Sequence, residues 1–362
     1  MSFEFDEVIT DIEKGISGEN TGIPLDFKKL SKVLSGIQKY TYTLVGGNSG
    51  TGKTAFVDLV YCLGVYDWWY KNKDHTDIKI KIIYRSMERT KKLKIAKWIC
   101  LKLYIDHQII IDIPTLFQRE GKKVELDDKL FDLIKGYRQY FSEMLESGVV
   151  EIIDGQENPT GIFRHIQDYA NKNGQWIKIN EFSKKYQPND PNLYTIIVID
   201  HIGKCKSEMN GGKQLNSKET LDKCSEYMSI CRDAYGFSPV VISQFNRSIG
   251  NIERFKAKSV SPEPDDFKGS GCLYEDADVT IALYNPFKTK VNDFLGYNIP
   301  KFVSPSGENR FRSVSILKNS YGADDLILPL NFLGESGHFR EIPNADEFKK
   351  NVGYYKKASD YS

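Results

Sequence analysis

Eight consecutive residues, Gly47-Asn48-Ser49-Gly50-Thr51-Gly52-Lys53-Thr54, restrict this chain more than any other feature. Their glycines permit backbone conformations that turn successive N–H groups toward phosphate oxygens, and the positive end of a following helix adds to that field. Lys53 supplies a point charge for the β- and γ-phosphates, and the Thr54 hydroxyl is placed for Mg²⁺. The pattern works this way only between a strand and a helix. TYTLVGG (41–47) reads as the strand and TAFVDLVYCLGVYDWWY, from Thr54, as the helix. The loop therefore predicts an α/β fold with a nucleoside triphosphate and Mg²⁺ at Gly47 to Thr54.

Downstream, strands and helices alternate in the manner of a mostly parallel sheet flanked by helices. IKIKIIYRS (78–86), GVVEIID (148–154), TIIVID (195–200), PVVISQ (239–244) and DVTIALY (278–284) read as strands. Helices are expected after 86 through about 104, over 125–147, over 159–172 and from Thr220 to Ala234. SVSILK (313–318) and LILPLNF (326–332) look like a late hairpin. Phe5, Val8, Ile9 and Ile12 share one face of a short N-terminal helix that Gly15, Gly18 and Gly22 end. The stretches 173–192 and 285–312, each with prolines among polar residues, read as insertions without compact structure.

Three carboxylate or amide residues sit at strand ends, where open α/β sheets bind ligands. Asp200 closes the apolar run TIIVID and can hold the Mg²⁺ water shell. Glu88 follows the second strand in YRSMER and can polarise an attacking water. Gln244 ends PVVISQ and can hydrogen-bond a γ-phosphate. His201, next to Asp200, reads as an aromatic-sized packing residue. The loop after Asp200 carries Lys204, Lys206, Lys213 and Lys218. The loop after Gln244 carries Arg247, Arg254, Lys256, Lys258 and Lys268. Such loops are often only solvated, yet two basic loops from adjacent strand ends could track a phosphate backbone.

Composition narrows the remaining classes. With 50 Lys+Arg against 49 Asp+Glu, the net charge of +1 argues against a whole-surface grip on nucleic acid, so any such grip must be local. The six cysteines and five histidines are dispersed without a C-x-x-C pair, which favours reduced, buried thiols over zinc or a disulfide framework. No apolar run reaches the roughly 20 residues of a membrane span, and MSFEFDEVITDIEK lacks an apolar signal region. A soluble, cytoplasmic protein without membrane contact is expected.

Taken together, these segments resemble the C-terminal ATPase domain of bacterial and phage replicative helicases of the DnaB type, in the RecA-like superfamily. The resemblance runs through TGIPLD (21–26), LSGIQK (34–39), GNSGTGKTAF and SMER (86–89). It continues through VIDHIG (198–203), ISQFNRSI (242–249), DFKGSGCLYEDADVTIALY (266–284) and ILKNSYG (316–322). It implies a RecA-like core over 21–345, preceded by the helix and linker of 1–20 and followed by a tail, 346–362. It also implies a six-membered ring on single-stranded DNA, moving 5′ to 3′, with ATP and Mg²⁺ between neighbouring subunits. On that basis Lys53 and Thr54 hold phosphate and metal, Glu88 activates water, Asp200 is the second carboxylate at the metal, and Gln244 senses the γ-phosphate. Lys204, Lys206, Arg247, Arg254, Lys256 and Lys258 would contact DNA, and Lys318 would reach a neighbour's γ-phosphate.

Two departures stand out. Only about 20 residues precede the ATPase segment, where the family carries a primase-binding domain, which suggests a bacteriophage protein and leaves primase or a helicase loader as candidate partners. The late Lys-x-Arg motif reads Lys318-Asn319-Ser320. Since an arginine finger can be worth roughly 10³–10⁵ in turnover, either Arg310 or Arg312 substitutes, or Lys318 suffices, or hydrolysis is slow. Two other functions fit the same residues: an ATP-switched DNA-binding or recombination protein without unwinding, and an accessory ATPase regulating a helicase.

Overall fold

The computed structural model describes residues 2–18, 22–120, 122, 124–246, 254, 260–267, 271–304, 307–324 and 326–350. Its centre is a nine-stranded sheet. In chain order the strands are β1 (Thr43–Gly47), β2 (Lys79–Ser86), β3 (Val150–Asp154), an outlying hairpin β4 (Gly174–Lys178) and β5 (Lys184–Pro188), then β6 (Leu193–Asp200), β7 (Ser238–Gln244), β8 (Val279–Tyr284), β9 (Phe311–Asn319), β10 (Ile327–Leu333) and β11 (His338–Glu341). Across the sheet the order is β11-β10-β9-β8-β1-β7-β6-β2-β3. From β8 to β3 all neighbours are parallel, and β9, β10 and β11 add on antiparallel. This is the RecA-like core.

The apolar runs behave as strands covered on both faces, which dispenses with polar alternation. Along β6, Tyr194, Ile196 and Val198 enter one core while Ile197 and Ile199 enter the other. The first core is closed by α2, a continuous helix (Lys53–Val57, a π-type stretch Asp58–Leu63, then Gly64–Asn72), and by α3 (Lys91–His107). The second is closed by α4 (Pro159–Lys172) and α5 (Ser217–Tyr235). Local chemistry sets these ends. Thr90 caps α3 by accepting the Leu93 amide; Asn216 and Glu219 form a reciprocal capping box on α5; Gly236, at φ 72°, ends α5 in the left-handed conformation.

Three expectations change. The segment 125–147 is two helices, Asp128–Gly136 and Arg138–Glu146, broken where Gly136 weakens the helix and the Tyr137 amide tightens onto Ile134. The stretch 173–192 is not open chain. It folds as the β4–β5 hairpin and buries Tyr186, whose hydroxyl donates to the Ala170 carbonyl. Within 285–312, Phe294, Tyr297 and Phe302 pack with Phe311 and Phe348, so aromatic burial organises a segment whose prolines suggested otherwise. The N-terminal helix α1 spans Ser2–Ser17, and Phe5, Val8, Ile9 and Ile12 on it are exposed. Among the described residues, no helix is long and apolar enough to cross a membrane.

Candidate functional site

Parallel register brings the carboxyl ends of four strands to one edge. Gly47 of β1 pairs with Gln244 of β7, and Ser86 of β2 pairs with Asp200 of β6. A cleft of about 300 Å³ opens there, lined by Ser49, Lys53, Thr54, Glu88, Asp200 and Gln244 among others.

The loop's backbone explains its glycines. Gly50 and Gly52 lie at φ 72° and 97°, in the left-handed region. A Cβ on Gly52 would also meet the rings of Phe339 at 2.7 Å and Phe332 at 3.0 Å, so β10 and β11 can close on the loop only over glycine. Gly52 begins α2 without any side-chain cap, which leaves the first amides of α2 free for an anion. The Lys53 ammonium donates to the Gly47 and Asn48 carbonyls at 2.8 and 3.0 Å. Burial is the main influence bringing Lys53 down to about 8; Asp200 and Glu88 oppose the shift, and Lys288 adds to it.

Beneath the loop lies a buried charged group that sequence reasoning missed. Thr54 Oγ1 donates to Asp200 Oδ1 at 2.9 Å, and the Tyr84 hydroxyl donates to Asp200 Oδ2 at 2.8 Å. Lys94 Nζ, 1% exposed, reaches Tyr84 Oη at 2.6 Å and lies 3.2 Å from both Asp58 Oδ2 and Asp200 Oδ2. Burial alone would lower Lys94, but the two carboxylates outweigh it and hold the ammonium above its ordinary range. Burial likewise works to raise Asp200, and Lys94, Tyr84 and Thr54 together keep it below the usual carboxylate value. For Asp58 burial wins, and its carboxyl is raised. A signal existed: Lys94 and Lys102 fall on the same face of α3 as Trp98 and Leu101, opposite Asp58 and Asp67 of α2.

Glu88 stands on the loop after β2 with its carboxylate 3.0 Å from His201 Nε2 and 3.8 Å from Lys204 Nζ. His201 is therefore no mere packing residue. Its Nδ1 accepts the Gly203 amide at 3.1 Å, which leaves Nε2 to carry the proton toward Glu88. Burial lowers the imidazole despite Glu88 and Asp200.

The remaining candidates divide. Lys204 and Lys206 are exposed on the turn after Asp200, beside the cleft. Arg254 is held by carboxylates of its own chain, with Nη1 2.5 Å from Asp266 and Nη2 3.1 Å from Glu263. Arg247, Lys256, Lys258 and Lys268 lie outside the described residues. Lys318 is not in this cleft. It sits near the far end of β9, where its ammonium donates to the Tyr274 and Glu275 carbonyls at 3.1 and 2.7 Å. Neither Arg310 nor Arg312 is free to replace the missing arginine. Both are buried in their own subunit, Arg310 3.5 Å from Glu335, and Arg312 donating to the Thr51, Asn309 and Phe311 carbonyls. Arg312 braces the phosphate loop from behind, and burial brings it down to about 10.

No protein-family model matches the chain, and no curated protein matches it. Solved structures do. The ATPase domain of one replicative helicase superposes with a TM-score of 0.65 at 17% identity, covering 93% of this chain and 98% of that one. A DnaB-like replicative helicase, described with its interactions with primase, gives 0.64 at 17% identity, covering 93% of this chain and 66% of that one. The chain has the fold of DnaB-like helicase ATPase domains.

Proposed function

We propose that the chain is an ATP-hydrolysing motor of the replicative helicase type, moving along single-stranded DNA as a homohexameric ring and originating from a bacteriophage. The convergence of Lys53, Thr54, Glu88, Asp200 and Gln244 on one cleft supports this reading most strongly. The Thr54 hydroxyl and Asp200 Oδ1, 2.9 Å apart at the mouth of the loop, are a donor set suited to Mg²⁺ with its water shell. When bound, that ion neutralises phosphate charge and orients the triphosphate.

The chain's own groups carry the rest. The α2 amides and Lys53 hold the phosphates. Glu88, positioned by His201, accepts the proton of the attacking water. The Gln244 amide bonds the γ-phosphate and loses that partner on hydrolysis. Lys204, Lys206, Arg247, Arg254, Lys256 and Lys258 grip the DNA backbone, Arg254 by exchanging its carboxylate partners for phosphate. Lys318 completes the site of the next subunit, and the apolar face of α1 docks there. Movement runs 5′ to 3′, in the cytoplasm of the host, with primase or a helicase loader as partner.

A forked duplex with single-stranded tails tests the reading. ATP-dependent strand separation is expected, and DNA-stimulated hydrolysis without separation would sink it. Ser320, together with the burial of Arg310 and Arg312, favours one alternative: an ATP-switched DNA-binding protein that does not unwind. The mass of the assembly with a non-hydrolysable ATP analogue and single-stranded DNA is a further check, since a monomer there would exclude a shared site.

A further inference from the structure

The turn that follows β8 reaches back over the phosphate loop. Leu283 pairs with Gly47 across the parallel β8–β1 contact, so the chain leaving β8 emerges beside the loop. There it folds tightly. Asn285 Oδ1 accepts the Phe287 amide at 3.1 Å, and the Lys290 and Val291 amides close onto the Phe287 and Pro286 carbonyls. The turn places the exposed Lys288 ammonium 3.0 Å from the Ser49 carbonyl. A Cβ on Gly50 would collide with that ammonium, so the approach of Lys288 depends on the glycine. Among the described residues Lys288 makes no ion pair. Its charge instead faces that of Lys53.

Two cations thus converge on one rim of the loop with no carboxylate on Lys288, an arrangement that favours an anion between them. We propose that Lys288 is a phosphate ligand supplied in cis, which bonds the terminal phosphate of a triphosphate seated on Gly47 to Thr54. The proposal rests on the reading of that loop as the nucleotide site. One of the three ammonium hydrogens serves the Ser49 carbonyl, and the others remain for phosphate oxygens. A fixed positive charge at this rim also bears on the late motif, where Ser320 stands in place of arginine.

A lysine that only braced the loop would support ATP and ADP equally. The test is therefore discrimination between them, measured by calorimetry with Mg²⁺ on the full chain, using a non-hydrolysable ATP analogue and ADP. K288A should weaken the analogue by about ten- to a hundredfold, the range for a hydrogen bond to a charged group. ADP should stay within about twofold, and K288R should recover most of the lost affinity. Equal losses for both nucleotides, or no loss for either, would overturn the proposal. If the unaltered chain binds neither nucleotide, the loop reading falls and this proposal with it, a result distinct from selective failure of K288A.

Discussion

Removal of the Lys94 ammonium tests whether the buried group beneath the phosphate loop is held by charge balance. Lys94, Asp58 and Asp200 together carry one net negative charge, in a volume where Lys94 is 1% and both carboxylate residues 4% exposed. Lys94→Met preserves length and apolar contact with Trp98 but leaves two carboxylates without a counter-charge. Breaking a buried pair in this way costs about 3–5 kcal/mol, because a desolvated charge is left uncompensated. The Tyr84 hydroxyl loses its 2.6 Å partner in the same change. Asp58→Asn added to Lys94→Met restores the net charge to that of Asp200 alone. The double variant should therefore be more stable than K94M by about 1–2 kcal/mol, a non-additivity expected of residues in one network. Guanidinium denaturation followed by circular dichroism reads both values from the shift in midpoint at constant slope. A K94M loss within about 0.5 kcal/mol, the scale of ordinary surface changes, would refute the argument. So would a double variant less stable than K94M.

Other consequences follow from the same geometry. Glu88→Gln should lower turnover by about 10²–10⁴, the usual worth of a positioned base, while nucleotide affinity stays near that of the unaltered chain; equal loss of both would remove Glu88 from the chemistry. Arg312→Met should weaken nucleotide binding by a single subunit, since it strips the brace from the Thr51 carbonyl; a group acting on a neighbour would leave monomer binding intact. His338 is brought down to about 4 by burial, with Arg340 adding to the effect. Its folded value lies below the unfolded one, so its neutral form contributes stability at and above about pH 6.5. That stability is lost as pH falls toward 4, by up to about 3 kcal/mol at 1.36 kcal/mol per unit. His338→Phe should flatten the pH dependence of the denaturation midpoint between those limits, and an unchanged slope would show that another group titrates there.

What could be read from the residues follows from how each part is stabilised. Parallel strands buried on both faces leave continuous apolar runs, so TIIVID and PVVISQ are plain in the sequence, and the register of such strands brings Asp200 and Gln244 to the edge holding the phosphate loop. The buried ion group was hidden because lysines in KKLKIAKWI look like solvent-facing helix charges. Only the pairing of α3 against α2 turns Lys94 inward to Asp58. The β4–β5 hairpin escaped for a related reason: its residues are mostly polar, and the aromatic contacts of Tyr186 with Tyr235 and Phe237 come from distant sequence. Lys288 left no motif at all, since its place over Ser49 is set by the β8–β1 register and a turn.

The antiparallel strand β9 joins the two halves of the proposed inter-subunit site. Arg312, near its start, fastens Thr51 of the phosphate loop, whereas Asn319 at its other end pairs with Val279, at the start of β8. Six residues at about 3.3 Å each separate Arg312 from Lys318 by roughly 20 Å. One subunit therefore cannot bring Lys318 to its own nucleotide. For Lys318 to reach a γ-phosphate, the far edge of one sheet must face the loop-bearing edge of another, a head-to-tail contact that closes into a ring rather than a two-fold dimer. The loss of arginine at Ser320 then weakens only the end of β9 that faces a neighbour. At the other end Arg312 is locked by three carbonyls of its own chain. Charge missing from the neighbour's side can be offset only from within the subunit that holds the nucleotide, and the turn carrying Lys288 is the element positioned to do so.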